Sequence, residues 1–254
     1  MTGRTGAVVV GARGGLGAAF VEALLATGRY ATVLALSRSA AREPVADPGE
    51  ESADAPPRRI VAHLDLLDES SIRDAAALAG RLGEPRLVIV ATGLLHDAAT
   101  GLQPEKSLAM LDGDRLARLF ALNATGPALV AKHFLPRMPR DGRVVFAAIS
   151  ARVGSVSDNR LGGWYGYRAS KAALNMLLRT TAIEWARTAR QSVCVGLHPG
   201  TVDTALSAPF QAGVPPGRLF TPARSAALLL EVIDRLEPSD SGRVFAWDGT
   251  EVPP

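Results

Sequence analysis

The sequence predicts an α/β fold: a doubly wound, seven-stranded parallel sheet flanked by helices, in one domain over residues 1–254. Three observations predict it. Short apolar runs recur along the chain, helix-length segments separate most of them, and the first run passes through a glycine cluster into an apolar helix. Strands that are apolar throughout, rather than alternating, belong in a sheet covered on both faces.

Residues 7–10 are a β-branched run, followed by glycines and then by residues 18–26 with helical apolar spacing, which reads as strand, turn and helix. Further strands are expected at 31–36, 60–66, 87–90, 144–149, 193–197 and 244–247. Helices are expected at 70–81, 114–137, 166–190 and 222–236. The exception is 39–59, where the second crossover helix belongs. Pro44, Pro48, Pro56 and Pro57 oppose a long helix there, and the Ala, Pro, Glu and Asp content predicts a shortened helix plus a flexible surface insert. No internal repeat is evident.

Composition narrows the function classes. Apolar content of 47% and charged content of 21% are ordinary for a globular protein. The 28 basic and 25 acidic residues leave a net charge of +3. The arginines are dispersed, without the basic stripe and interleaved aromatics of a nucleic-acid binder. No apolar run approaches the roughly 20 residues that span a bilayer. Residues 1–6 run directly into the first strand, with no secretory apolar core or cleavage site. A cytoplasmic protein with neither nucleic-acid nor membrane partners is expected. Cys194, the single cysteine, excludes an intrachain disulfide or a cysteine-cluster metal site and reads as a buried thiol; no metal is expected.

The glycine cluster is Gly11-Ala12-Arg13-Gly14-Gly15-Leu16-Gly17. Between a first strand and a first helix, small residues let the backbone approach a pyrophosphate, and the helix N-terminus offers free N–H groups and partial positive charge. The second strand ends Leu36-Ser37-Arg38. A carboxylate there would accept from a ribose 2′-hydroxyl; a guanidinium suits a 2′-phosphate. With Arg38 in that place and Arg13 in the turn, the cofactor expected is NADP(H) in preference to NAD(H).

Tyr167 and Lys171 open the predicted helix 166–190, four residues apart and so on one face. A phenol with a pKa near 10 is a poor acid–base at neutral pH, and a neighbouring ammonium favours its ionised form. Lysine is scarce in this chain, with only Lys106, Lys132 and Lys171 against many arginines, so its use here is informative.

The Gly-x-x-x-Gly-x-Gly spacing, the stretch Ser150-Ala-Arg-Val-Gly-Ser155, and Gly162-Gly-Trp-Tyr-Gly-Tyr167-Arg-Ala-Ser-Lys171-Ala-Ala-Leu-Asn175 resemble the short-chain dehydrogenase/reductase family, in particular its C-factor-like subgroup. The resemblance covers essentially the whole chain. It implies a Rossmann-type sheet. It places Asp65 and Leu66 near the adenine, and Pro199, Gly200, Val202 and Thr204 near the nicotinamide carboxamide. It has Lys171 on the nicotinamide ribose hydroxyls, and Asn123, in Asn-Ala-Thr-Gly126, holding a water for a proton relay. Ala91-Thr92-Gly93 stands where the family has Asn-Ala-Gly, and Val10 where it often has Thr. One departure matters more. The family's carbonyl-binding serine lies three residues before a glycine, and that position is Ala151. Ser150 is the candidate substitute; Ser155 and Tyr167 acting alone are the alternatives.

The reaction so implied is interconversion of a carbonyl and an alcohol on a small or medium organic substrate. Residues 205–220 form the expected substrate lid, with Leu206, Phe210, Val214 and Leu219 giving it an apolar character. A rival reading is an NADP(H)-binding signalling or regulatory scaffold with weak turnover, which Ala151 favours and the joint presence of Tyr167, Lys171 and Asn123 opposes. A sugar-nucleotide epimerase or dehydratase also uses Tyr-x-x-x-Lys, but too little sequence follows Thr204 for its larger substrate lobe. The resemblance also implies a homodimer or homotetramer, paired through helices 114–137 and 166–190.

Overall fold

The computed structural model describes residues 5–43 and 56–254. Seven parallel strands form the main sheet: β1 (Thr5–Val10), β2 (Thr32–Ser37), β3 (Arg58–His63), β4 (Glu84–Val90), β5 (Val144–Ile149), β6 (Ser192–His198) and β9 (Val244–Ala246). Their order is β3-β2-β1-β4-β5-β6-β9, so the chain winds outward in both directions from β1 and β4. The crevice at that reversal is where doubly wound sheets bind ligands.

Alternate residues along each strand feed two cores. Val8, Val10, Phe146 and Cys194 face α2 (Glu69–Leu82), α4 (Gly126–Phe134) and α5 (Tyr165–Trp185). Ala7, Val9, Val145 and Val195 face α1 (Gly15–Thr27) and α6 (Pro222–Arg235). β2 is buried at all six positions, as a strand sandwiched between helices must be.

Three boundaries differ from expectation. β3 ends at His63, although Leu64 and Leu66 are buried beyond it, because the backbone turns where Asp68 N–H meets the Asp65 carbonyl. The expected helix 114–137 is divided into α3 (Gly113–Phe120), a π turn (Ala121–Thr125), α4 and a final 3₁₀ turn (Leu135–Arg137). Two strands of two residues each, β7 (Thr201–Val202) and β8 (Leu219–Phe220), pair beneath the lid; the sequence does not predict them. Of the expected insert at 39–59, residues 44–55 lie outside the described residues, and residues 39–43 and 56–57 are not helical. Among the described residues no helix is long and apolar enough to cross a membrane.

Candidate active site

α1 begins at Gly15, three residues before its expected start, so the glycine turn is compact. Its cap residue Gly14 supplies no side-chain hydrogen bond, and Gly14, Gly15 and Leu16 line a cleft of about 560 Å³. Gly15 and Gly17 have no room for a side chain. A Cβ on Gly17 would lie 2.1 Å from the Gly11 carbonyl oxygen, and one on Gly15 would lie 2.8 Å from the Thr204 methyl. Uncapped backbone donors in a cradle that a methyl group would fill fit a pyrophosphate.

The carboxyl end of β2 lies beside the glycine turn, where Gly11 N–H donates to the Leu36 carbonyl at 2.9 Å, and β3 pairs with β2. Ser37 is buried with its hydroxyl oxygen lacking a partner, and Arg38 and Arg13 are exposed, with no ion pair to either among the described residues. Asp65 Oδ1 accepts from Leu67 N–H at 3.0 Å, which shapes the turn leading to Leu66. Beyond β4, Ala91, Thr92 and Gly93 line the cleft, and Thr92 Oγ1 is a second buried oxygen without a partner. These orphaned hydroxyls, and guanidiniums without an ion pair among the described residues, match a polar, phosphate-bearing ligand.

The first turns of α5 hold the expected Tyr167 and Lys171. Tyr167 and Lys171 are 7% and 1% exposed, with Lys171 Nζ 5.8 Å from the phenol ring centre. Lys171 donates to the Ile149 carbonyl at 2.7 Å. Burial pushes the Tyr167 phenol up to about 12 and the Lys171 ammonium down to about 7. This corrects the expectation of a lowered phenol pKa. Desolvation of both groups outweighs the attraction between them, so the phenol keeps its proton at neutral pH.

Asn123 sits in the π turn, where Gly126 N–H reaches the Ala121 carbonyl five residues back. Its carboxamide is committed. Oδ1 accepts from Leu94 N–H at 2.7 Å, and Nδ2 donates to the Leu94 carbonyl at 2.8 Å and to Ser170 Oγ at 3.0 Å. The side chain therefore ties the β4 loop to α5. Both amide donors are used, which leaves the expected relay water without a donor from this side chain.

The candidate hydroxyls differ in their surroundings. Ser150 is 2% exposed, lines the cleft, and donates to Asn175 Oδ1 on α5 at 2.6 Å. Ser155 Oγ receives Asp158 N–H at 3.0 Å and donates to the Pro254 carbonyl at 3.3 Å, away from the cleft lining. Ala151 lines the cleft and has no hydroxyl to offer.

Residues 199–214, after β6, form the remaining side. Pro199, Gly200, Val202, Thr204, Leu206 and Phe210 line the cleft, and the Pro199 carbonyl is fixed by Ser225 Oγ at 2.9 Å. The lining residues that the sequence does not mark as site residues include His96, Trp164 and His198. His96 forms a 3.0 Å Nε2 hydrogen bond to the Ala205 carbonyl and meets the Phe210 ring edge-on at 5.7 Å. Trp164 packs 5.0 Å from Phe210 and 6.3 Å from Tyr167, centre to centre. His198 has a buried Nδ1 without a partner, and burial plus the nearby Arg152 push it down to about 4, so it is neutral. Tryptophan in a glycine-rich loop and histidine at a strand end were the only sequence signals for the last two.

A family model, short chain dehydrogenase, matches residues 5–214. The chain belongs to the short-chain dehydrogenase family. It is 40% identical over 147 residues to the C-signal of Myxococcus xanthus, spanning 58% of this chain and 83% of that one. It is 35% identical over 186 residues to 1-hydroxy-2-glutathionyl-2-methyl-3-butene dehydrogenase of Rhodococcus sp. (strain AD45), spanning 72% of this chain and 76% of that one. The solved structure of NADPH-bound carbonyl reductase from chicken fatty liver superposes with a TM-score of 0.79 at 26% identity, over all of this chain and 95% of that one. As a short-chain dehydrogenase the chain is an oxidoreductase with a nicotinamide cofactor and a small-molecule substrate. The glycine turn and the Tyr167–Lys171 pair fall inside the matched region.

Proposed function

We propose that this short-chain dehydrogenase is an NADP(H)-preferring carbonyl reductase, reversible to an alcohol dehydrogenase, acting on a small or medium apolar compound. One observation carries the proposal. The buried phenol of Tyr167 and the ammonium of Lys171 share one face of α5 and open into the cleft that begins at the glycine turn.

Gly11, Gly15, Leu16 and Gly17 would cradle the pyrophosphate, and Arg13, Ser37 and Arg38 would take the 2′-phosphate. Asp65 and Leu66 would flank the adenine. Ala91, Thr92 and Gly93 would line the ribose path, and Pro199, Gly200, Val202 and Thr204 would hold the carboxamide. When bound, the nicotinamide supplies or accepts the hydride. Tyr167 gives its proton to the carbonyl oxygen in reduction and takes it back in oxidation, a contribution of about 10²–10⁴-fold for a well-placed general acid. A phenol that stays protonated at neutral pH suits the reducing direction. Lys171, which donates to the Ile149 carbonyl and lies 5.8 Å from the phenol ring centre, would bind the ribose hydroxyls. With Ser150 turned to Asn175 and no hydroxyl at Ala151, Tyr167 alone orients the carbonyl oxygen. Leu206, Phe210 and Val214 give the chamber its apolar character.

The test is NADPH consumption with a panel of ketones, aldehydes and quinones, for the wild type and for Tyr167→Phe. Turnover that Tyr167→Phe lowers at least a hundredfold, with NADPH affinity intact, is expected. Ala151 supports a second reading, an NADP(H)-binding signalling scaffold, in line with the name of the C-signal relative. NADPH binding without turnover on any carbonyl would select it.

A further inference from the structure

Glu105 is a carboxylate 3% exposed that none of the chemistry above uses. It belongs to the loop between β4 and α3, yet its hydrogen bonds among the described residues are with the entrance to α5. Its Oε2 accepts from Gly166 N–H at 3.1 Å, and its main-chain carbonyl accepts from Trp164 N–H. α5 needs both. Its cap residue is Trp164, which supplies no side-chain hydrogen bond, so the first turn would otherwise leave buried backbone donors unpaired. A carboxylate at a helix N-terminus also meets the positive end of the helix dipole.

The contact with Trp164 has a second consequence. Trp164 has φ 51°, the one non-glycine residue with positive φ among the described residues, and it follows Gly162 and Gly163 at φ 65° and 66°. Three successive left-handed residues ending in a bulky aromatic persist only where the surroundings over-determine them. The surroundings here are the Glu105 carbonyl and Arg168, whose Nε donates to the Gly163 carbonyl at 3.0 Å. The fit is close on the other side too: a Cβ on Gly166 would lie 2.8 Å from Glu105 Oε1 and 2.6 Å from Leu119. Held this way, the Trp164 indole stands between Tyr167 and the lid residue Phe210.

We propose that Glu105 is the positioning residue of the acid–base tyrosine: its carboxylate fixes the turn that carries Tyr167, and its carbonyl holds Trp164 as the wall beside the phenol. The proposal rests on Tyr167 being the acid–base group. Glu105 touches neither substrate nor cofactor.

The experiment compares Glu105→Met, which keeps volume and removes the acceptor, with Glu105→Gln, which keeps an acceptor oxygen. Readouts are kcat and KM on the best carbonyl of the panel, NADPH Kd, melting temperature, and fluorine NMR of protein carrying 5-fluorotryptophan. The chain has three tryptophans, and the Trp164 line is assigned by its loss in Trp164→Phe. Glu105→Met is expected to lower kcat about 100-fold, the scale of an ångström-sized misplacement of a reacting group. It should shift or broaden the Trp164 line alone and leave NADPH Kd within a few-fold. Glu105→Gln should restore kcat and the line. Leu236→Ala, a core truncation at the distal end of α6, controls for stability loss without contact with the site. An unmoved Trp164 line with wild-type kcat in Glu105→Met overturns the proposal. So does a fall in kcat that Leu236→Ala reproduces at equal melting temperature. Where Glu105→Met does not fold, Glu105→Asp, one methylene short of Gly166 N–H, carries the same expectations. If the wild type turns over no carbonyl at all, the reductase reading fails, and the fluorine spectra still decide whether Glu105 holds the wall.

Discussion

Lys171→Met should remove a pH dependence of stability that one buried ammonium imposes. Burial lowers the Lys171 pKa from 10.5 to about 7. Between those values the unfolded chain holds a proton that the folded chain has released, so stability rises with pH across the window. The penalty is complete below about pH 7 and absent above about 10.5. The drop from 10.5 to about 7, at about 1.4 kcal/mol per pH unit, caps it at about 5 kcal/mol. Methionine fills nearly the same volume and does not titrate. Its gain at pH 6 is reduced by about 1–3 kcal/mol for leaving the Ile149 carbonyl without its donor. Lys171→Met is therefore expected to be more stable than wild type at pH 6 by a few kcal/mol, and equal or less stable at pH 10. Tyr167, raised to about 12, acts with the opposite sign above pH 10, so measurements stop there. Urea unfolding at pH 6, 8 and 10 without added nucleotide gives the difference directly, since groups common to both proteins cancel. A wild-type minus variant difference that stays constant from pH 6 to 10 would refute the reasoning.

Three further outcomes are expected. Arg38→Ala should weaken NADPH binding about 10- to 100-fold, the value of a lost charge-assisted hydrogen bond of roughly 1.5–3 kcal/mol, and leave NADH binding unchanged in calorimetry; equal losses for both cofactors would remove Arg38 from the 2′-phosphate site. Ala151→Ser should raise kcat for reduction at least about tenfold, because one preorganised donor to a developing oxyanion is worth about 10²–10³; stopped-flow NADPH oxidation reads it, and an unchanged rate would mean the carbonyl lies elsewhere. Phe146→Ala, at a fully buried β5 position, should cost about 3–5 kcal/mol in denaturant unfolding, and a loss below about 1 kcal/mol would contradict its place in the core.

Much of the fold was legible because parallel strands buried on both faces are written as unbroken apolar runs. The same rule explains the errors. Leu64 and Leu66 extend the third run, but they are buried by a turn rather than by the sheet, and an apolar run does not distinguish the two. Residues 114–137 keep helical periodicity across the π turn at Ala121–Thr125, because one extra residue per turn changes hydrogen bonding more than it changes the apolar face. The glycine turn, Tyr167 and Lys171 could be found since their chemistry requires particular residue types at particular spacings. Glu105 could not: a glutamate in a polar loop carries no local sign that it will be buried against a helix 61 residues later. Ser150, the residue just past β5, lines the cleft as its place in the sequence suggests, while its hydroxyl donates to Asn175, a partner 25 residues away that nearness in sequence does not reveal.

The residues that break ordinary rules of stability gather in one place. Lys171 is a buried cation held by a single carbonyl, Trp164 is an aromatic in a left-handed conformation, and Glu105 is a buried acid whose carboxylate caps a helix. The desolvated Lys171 and the left-handed backbone of Trp164 are costly, the latter by roughly 1–3 kcal/mol, whereas Glu105 pairs donors that the start of α5 would otherwise leave open. All three act on the first two turns of α5, and together they fix one phenol against one wall of one cleft. Local conflicts concentrated around a single reacting group, in a chain otherwise consistent from strand pattern to core, mark where stability has been given up for chemistry. On that argument a Lys171→Met, Trp164→Gly double variant should be the more stable protein at pH 6 and the poorer reductase. A variant that improved both properties would show that the strain serves no chemical purpose.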